Sequence, residues 1–229
     1  MQWNFYLSGI LYGKFYVKDN DIFVEKLDAA KGIWYPKETF TEESDDFFKK
    51  LCSRSLLDFF KNKKEYEEKI SEGADEFTAS SGETFSNRRN EVYFQRQKKF
   101  PKDLFYDEDG IYAVLMSGRD FAAVLVKNGE EDRTILSRWK KAFPEPPAAV
   151  NFLGTFFVDT RDGEKLATDV YLPKGEAYKE QKVPSVLIRT PYGKGERPEQ
   201  YYRFVQRGYA VVIQDTIGRE DRPGEWRPN

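Results

Sequence analysis

The sequence predicts a mixed α/β chain, in which a β-rich (α+β) accessory domain with one long helix precedes the first strands of a second sheet. Three observations support this prediction. Short apolar segments separated by turn residues fill much of residues 1–143, and an amphipathic stretch interrupts them at about residues 42–71. Three prolines within residues 144–147 then mark a domain boundary, because proline continues neither a helix nor a central strand.

Composition excludes several classes of function. The 229 residues are 39% hydrophobic, which is typical of a folded globular chain, and the net charge of -2 disfavours nucleic acid and anionic membranes as partners. No apolar run approaches the roughly 18 residues of a membrane span, and no secretory signal is visible. We therefore expect a cytoplasmic protein.

Histidine and cysteine counts restrict the chemistry further. A Ser-His-Asp or Cys-His mechanism uses an imidazole to accept the proton of the nucleophile, and the 229 residues contain no histidine. The single cysteine, Cys52, can form neither an internal disulfide nor a thiolate metal cage. We expect no metal or cofactor, and we expect Cys52 to be a small buried side chain.

Residues 1–143 form the predicted accessory domain, and no motif in them carries chemistry. Two or three strands are expected in residues 1–36, and a helix over about 42–71 would begin at a capping box formed by Thr39 and Glu42. Polar residues after the helix predict a long loop. A meander of strands is expected to follow. The predicted loop covers residues 72–90, and the predicted strands cover 91–96, 110–116, 121–126 and 134–139.

Residues 144–150 are predicted to be a proline-rich linker, and residues 151–229 a second domain. Strands over 154–159 and 166–172 would form a hairpin around the turn Asp162-Gly163. A strand over 183–189, buried on both faces, would be followed by a helix over about 197–207, which ends at Gly208, and a buried strand over 209–214. An antiparallel start then leads into a parallel sheet.

Three segments of this second domain carry a family resemblance. They are RDGEKLATDVYLP (161–173), RTPYGK (189–194) and RGYAVVIQDT (207–216) with GEW (224–226). Together they resemble the opening of the α/β-hydrolase domain in the cocaine esterase / X-Pro dipeptidyl-peptidase family, which includes α-amino-acid ester hydrolases and glutaryl acylases. The resemblance implies the first strands of an α/β-hydrolase sheet, and it covers about a third of the chain.

The resemblance also implies roles for individual residues. Tyr192 would donate its phenol O–H to the oxyanion, whereas the alternative is an ordinary ring packed on the strand end. Arg189 and Asp215 would support the site, either by pairing with each other or by holding neighbouring loops. Asp215 is not expected to be the triad acid, because that acid follows the nucleophile along the chain in this fold.

The sequence departs from the family pattern in two ways. Ile217 stands where the family commonly has arginine in Q-D-x-R-G, which removes a donor that would brace the loop. The chain also ends at Asn229, before a Gly-x-Ser-x-Gly nucleophile, and Ser185, Ser137 and the serines near Ser80 lack that context. This chain alone is therefore expected to be inactive.

Three functional interpretations remain open from the sequence. The first is the N-terminal portion of a serine hydrolase that cleaves ester or amide (peptide) bonds through an acyl-enzyme once downstream Ser, Asp and His complete it. The second is a non-catalytic binding or interaction protein built on a truncated hydrolase scaffold. The third is one chain of a cleaved two-chain hydrolase, whose partner would be the remaining segment or subunit. Substrates compatible with the resemblance are small-molecule esters, acyl amides and short X-Pro peptides.

Overall fold

A computed structural model describes residues 1–19, 21–89, 91–96, 98–119, 121–143, 146–178, 182–191, 193–194 and 198–216. The chain divides into two compact units. The first unit comprises Met1–Leu27 and Trp34–Pro144, and the second comprises Asp28–Ile33 and Glu145–Asn229. The short excursion of residues 28–33 into the second unit has no signal in the sequence pattern.

The described part of the first unit is built on an extended antiparallel sheet. Its strands run in the order β4-β3-β2-β1-β11-β10-β9-β8-β7-β6, with β5 paired to β3. The strand bounds are Gln2–Leu7 (β1), Ile10–Lys18 (β2), Asp21–Asp28 (β3), Ile33–Trp34 (β4), Glu38–Thr39 (β5), Glu76–Thr78 (β6), Thr84–Arg89 (β7), Val92–Gln95 (β8), Lys102–Asp107 (β9), Gly110–Ser117 (β10) and Ala122–Lys127 (β11). Residues 1–36 contain four strands, β1 to β4, where two or three were predicted. The strands predicted over 91–96, 110–116 and 121–126 are confirmed within a few residues.

The predicted long helix is instead two helices, α1 (Glu42–Cys52) and α2 (Leu56–Ser71). Ser53 breaks the helix because it adopts a left-handed conformation, with φ 54°. Ser55 then caps α2 by accepting the Asp58 N–H at 2.9 Å. No proline or glycine marks this break, so the apolar spacing continues across it and suggests one helix.

The start of α1 also differs from the prediction. Thr41, not Thr39, is the N-cap, and its partner is Ser44 rather than Glu42. The Thr41 N–H donates to Ser44 Oγ at 2.8 Å, and the Ser44 N–H donates to Thr41 Oγ1 at 3.5 Å. A serine hydroxyl therefore fills the place in the capping box that the sequence pattern gives to a glutamate.

Aromatic side chains join the helices to the sheet of the first unit. The Trp3 and Phe59 rings lie 5.7 Å apart, and the Phe5 and Phe48 rings lie 5.2 Å apart, both edge to face. These four side chains are buried. Such pairs add to the apolar burial, so this cluster is the core that fixes α1 and α2 on β1.

Two further predictions for the first unit are wrong. Residues 72–90 contain the hairpin β6–β7, because Phe77 and Phe85 are buried and stack at 5.3 Å. Residues 134–139 lie mainly in a short helix, α3 (Leu136–Ala142), preceded by a 3-10 turn at Glu131–Arg133. Thr134 favours that helix locally, because its Oγ1 accepts the Leu136 N–H at 3.1 Å.

The second unit contains a smaller sheet with the order β12-β13-β15-β14 in its described residues. The bounds are Ala149–Asp159 (β12), Lys165–Lys174 (β13), Ser185–Thr190 (β14), Tyr202–Val205 (α4) and Ala210–Asp215 (β15). β12, β13 and β15 pair antiparallel, and β14 pairs parallel with β15. The predicted mixed α/β chain is confirmed at this level, with sheet predominating over helix.

Two details of the second unit correct the sequence interpretation. The strand over 183–189 is not buried on both faces: alternate residues of β14 are exposed, including Leu187 at 57%, because β14 pairs on one side in the described sheet. The predicted helix over 197–207 is shorter, with a 3-10 turn at Pro198–Tyr201 before α4. It ends at Val205, before the predicted end at Gly208, and Gly208 lies in the turn that follows, with φ 88°. Residues 195–197 lie outside the described residues.

None of the helices in the described part of the chain combines the length and the apolar character that a membrane crossing requires.

Candidate functional site

The candidate site lies where β14 and β15 end side by side. The two strands run parallel, with Arg189 opposite Gln214 and Thr190 opposite Asp215. The Thr216 N–H donates to the Thr190 carbonyl at 3.2 Å, so the chain stays paired to the strand ends. In open α/β sheets, ligands bind at this carboxyl edge.

Arg189 is exposed and takes part in a chain of hydrogen bonds across the sheet. Its Nε donates to Gln214 Oε1 at 3.1 Å, and Gln214 Nε2 donates to Thr168 Oγ1 at 2.9 Å. The Thr168 hydroxyl donates in turn to the Leu166 carbonyl at 3.0 Å. This chain ties the end of β14 to β15 and β13.

Asp215 is buried and contacts the loop that follows β14. Its Oδ1 accepts the backbone N–H of Lys194 at 2.7 Å. Arg189 and Asp215 thus bind different partners, Gln214 and Lys194. This geometry matches the expectation that Asp215 holds a neighbouring loop, and its supporting role remains a prediction.

A second buried carboxylate, Asp169, lies on β13. Its Oδ1 pairs with Lys194 Nζ at 3.2 Å and accepts the Thr155 hydroxyl at 2.5 Å. Asp169 shares the inward face of β13 with Ala167 and Tyr171, which are both buried. Buried charges are paired, so an aspartate at a buried strand position signals that a partner exists, but it does not identify that partner as Lys194.

Tyr192, the predicted oxyanion donor, lies outside the described residues. So do Ile217 and the segment 224–226. The described chain on either side of Tyr192 comprises Pro191, at the end of β14, and Gly193 and Lys194. Tyr192 therefore remains a prediction from the sequence.

The serines that the sequence makes poor nucleophile candidates either donate hydrogen bonds from their hydroxyls or lie at the start of a strand. Ser80 Oγ donates to Glu65 Oε2 at 2.6 Å, and Ser137 Oγ donates to the Thr134 carbonyl at 2.9 Å. Ser185 begins β14. None of the three has a histidine beside it, because the 229 residues contain none.

Cys52, the last residue of α1, is buried as predicted. Burial raises the pKa of its thiol to about 12, so it is protonated at neutral pH and does not serve as a nucleophile. Across the described ranges, no group of three or more Cys, Asp and Glu side chains could hold a metal ion.

An acidic cavity of about 720 Å³ lies within the first unit. Two of its acidic groups have partners: Asp107 pairs with Arg133 at 2.7 Å, and Glu67 pairs with Lys63 at 2.5 Å and accepts the Ile111 N–H. The cavity therefore lacks free charge at these positions to select a ligand.

Comparison with known proteins finds a similarity within the second unit. Residues 162–229 match the model of the family described as X-Pro dipeptidyl-peptidase (S15 family). Over 78 residues the chain is 40% identical to the cocaine esterase of Rhodococcus sp. (strain MB1 Bresler). The aligned region covers 31% of this chain and 13% of that esterase. The resemblance predicted from the three motifs is confirmed over this segment, which includes β14, β15 and the loop after β14.

Proposed function

We propose that the protein is a serine hydrolase of the cocaine esterase / X-Pro dipeptidyl-peptidase type, and that its second unit is the start of an α/β-hydrolase sheet. The observation that carries the proposal is the coincidence of the family match with the carboxyl edge of β14 and β15. The motif RTPYGK begins with the last two residues of β14, so the loop after the strand leaves the sheet where sites of open α/β folds are built.

The proposed reaction is acyl transfer to water. A serine oxygen attacks the acyl carbon, the leaving alcohol or amine departs with a proton from an imidazole, and water then releases the acid from the acyl-enzyme. Ser, Asp and His would come from chain downstream of Asn229. Tyr192 would supply one donor to the oxyanion, and the backbone N–H after the nucleophile would supply the other.

The open edge of β14 supports the completion of this sheet by further strands. β14 pairs with β15 on one side in the described sheet, and Leu187 on it is exposed. An unpaired apolar edge is a template for another strand. We propose that the strands following β15 in a hydrolase sheet pair there.

Three substrate classes fit the proposal: small-molecule esters, acyl amides and short X-Pro peptides. The test uses the natural protein, expressed from its complete reading frame. A p-nitrophenyl ester and an X-Pro p-nitroanilide report hydrolysis, and a fluorophosphonate probe reports an activated serine. Hydrolysis of either substrate together with labelling supports the proposal. Absence of both hydrolysis and labelling contradicts the proposal and favours the binding-protein interpretation.

Tyr192→Phe tests the role of the phenol. Removing one oxyanion donor lowers kcat by about 10²–10³-fold, and we expect KM to change much less. The matched control is Tyr209→Phe, which removes a phenol hydroxyl from an exposed tyrosine of the same unit. An unchanged kcat in Tyr192→Phe would assign Tyr192 to the alternative of a packed ring.

A further inference from the structure

We propose that Lys194 is a positioning residue that fastens the loop carrying Tyr192 to two strands of the second sheet. Its side chain is held by Asp169 on β13, and its backbone N–H is held by Asp215 on β15. The catalytic consequence of this fastening rests on the proposed function, whereas the fastening itself does not.

The side-chain anchor is a nearly buried ion pair. Lys194 Nζ lies 3.2 Å from Asp169 Oδ1, and the two side chains are only 12% and 7% exposed. The same carboxylate oxygen accepts the Thr155 hydroxyl from β12, so Asp169 is itself held in place. Water screens such a pair far less than a surface pair, so its geometry is well defined.

The backbone anchor holds the loop at a second point. The Lys194 N–H donates to the buried Asp215 at 2.7 Å, and Gly193 before it has φ 91°, a conformation that favours glycine. On the other side of Tyr192, the Thr190 carbonyl accepts the Thr216 N–H. The described chain is therefore held at Thr190 and at Lys194.

This arrangement gives Lys194 an effect at a distance from its own charge. A donor to an oxyanion contributes only when it is held at the right place before the reaction begins. Removing the lysine leaves the Asp169 carboxylate buried without its cation, which favours a rearrangement of the loop. The effect of Lys194 on the reaction should then pass through Tyr192.

Hydrogen exchange in the natural protein tests the fastening directly. In Lys194→Met and Asp169→Asn, we expect the backbone amide of Lys194, which donates to Asp215, to exchange at least tenfold faster than in the unmodified protein. The matched control is Lys165→Met, which removes an exposed lysine from β13. Lys194→Arg, which keeps the charge, should recover most of the protection. Equal exchange in Lys194→Met and Lys165→Met would overturn the proposal.

A double-mutant cycle tests the catalytic consequence. We expect Lys194→Met to lower kcat at least tenfold with little change in KM when Tyr192 is present, and less than twofold in the Tyr192→Phe background. If Lys194→Met lowered kcat by the same factor in both backgrounds, Lys194 would not act through Tyr192. If Tyr192→Phe itself leaves kcat unchanged, the proposed oxyanion role fails, and hydrogen exchange still decides whether Lys194 fastens the loop.

Discussion

The two units differ in how deeply several of their aromatic side chains are buried. In the first unit, Trp3, Phe5 and Phe48 are fully buried between sheet and helices. In the second unit, Phe152, Phe156 and Phe157 on β12 are about half exposed. These rings of β12 lie on the surface, although Tyr171 of the same unit is buried, so the aromatic content of 16% overstates how much of the core is made of rings.

The difference follows from what covers each sheet. Helices α1 and α2 lie over the sheet of the first unit, whereas the described α-helix of the second unit, α4, has four residues. Exposed apolar patches on a folded protein mark surfaces that contact something else. Under the proposed function, the later elements of a hydrolase sheet would meet these side chains.

The largest expected effect on the free energy of unfolding comes from removing one phenylalanine ring from the first unit. The same substitution in the second unit provides the comparison. Phe48→Ala should lower the free energy of unfolding of the first unit by about 3–5 kcal/mol, because it leaves a cavity among four other rings. Phe157→Ala should cost less than about 0.5 kcal/mol, because Phe157 is 61% exposed. Urea unfolding of both variants measures the difference.

Cys52 provides a probe that reports the first unit alone, because it is the single cysteine of the chain. Burial raises the pKa of its thiol to about 12, so a thiol reagent at pH 8 should react only after the first unit unfolds. If Phe48→Ala and Phe157→Ala lowered the free energy of unfolding by similar amounts, the contrast between the two units would be contradicted and Phe157 would belong to a core.

The next effect concerns the break between α1 and α2. Asp45 is buried, and its carboxylate accepts the Ser55 hydroxyl at 2.6 Å and the Leu56 N–H at 2.9 Å. Asp45→Ala should destabilise the first unit by about 2–3 kcal/mol, since buried donors lose a charged partner. The control is Asp46→Ala, which removes an exposed carboxylate paired with Lys49 and should cost less than about 0.5 kcal/mol. Thermal unfolding would show equal shifts if Asp45 did not hold the break.

The smallest expected effect on stability comes from a surface ion pair of the first unit, between Arg133 and Asp107. The hydrogen bond from Arg133 lowers the pKa of Asp107, which is partly exposed. A lowered pKa in the folded state stabilises the protein above the ordinary pKa of 3.8, and this contribution is lost as the pH falls through the folded value.

Asp107→Asn should therefore cost only about 0.5 kcal/mol at pH 7 and nothing at the acid end of a pH series. Urea unfolding from pH 7 down to pH 2 measures this dependence. Asp109→Asn, an exposed change in the same turn, is the control. A larger cost at pH 7, or an equal cost at every pH, would contradict the weak role of this surface pair.

Local signals were sufficient for two turns of the first unit, but not for the hairpin β6–β7 or for the helix break. Asp109-Gly110 and Asn128-Gly129 predict turns, and both glycines have positive φ, 95° and 96°. The break at Ser53 depends instead on Asp45, which binds Ser55 and Leu56 across the turn. A spacing of apolar residues carries no information on such a contact.

The candidate site shows the same division. The motif RTPYGK and the end of β15 at Asp215 could be located from the sequence, because strands and motifs are local features. The contact of Lys194 with Asp169 joins residues 25 positions apart on different elements, and only the folded sheet brings them together. Sequence alone therefore located the loop but not what holds it.

The central place of β1 in the first sheet bears on how the chain folds during its synthesis. β1 pairs on one side with β2, its neighbour in sequence, and on the other with β11, where Phe5 faces Leu125, 120 residues later. At about 5–20 residues per second, the ribosome adds that length in about 6–24 s. β1 thus leaves the ribosome well before β11 and waits for that partner with one edge open, and chaperones that shield nascent chains have that interval in which to act.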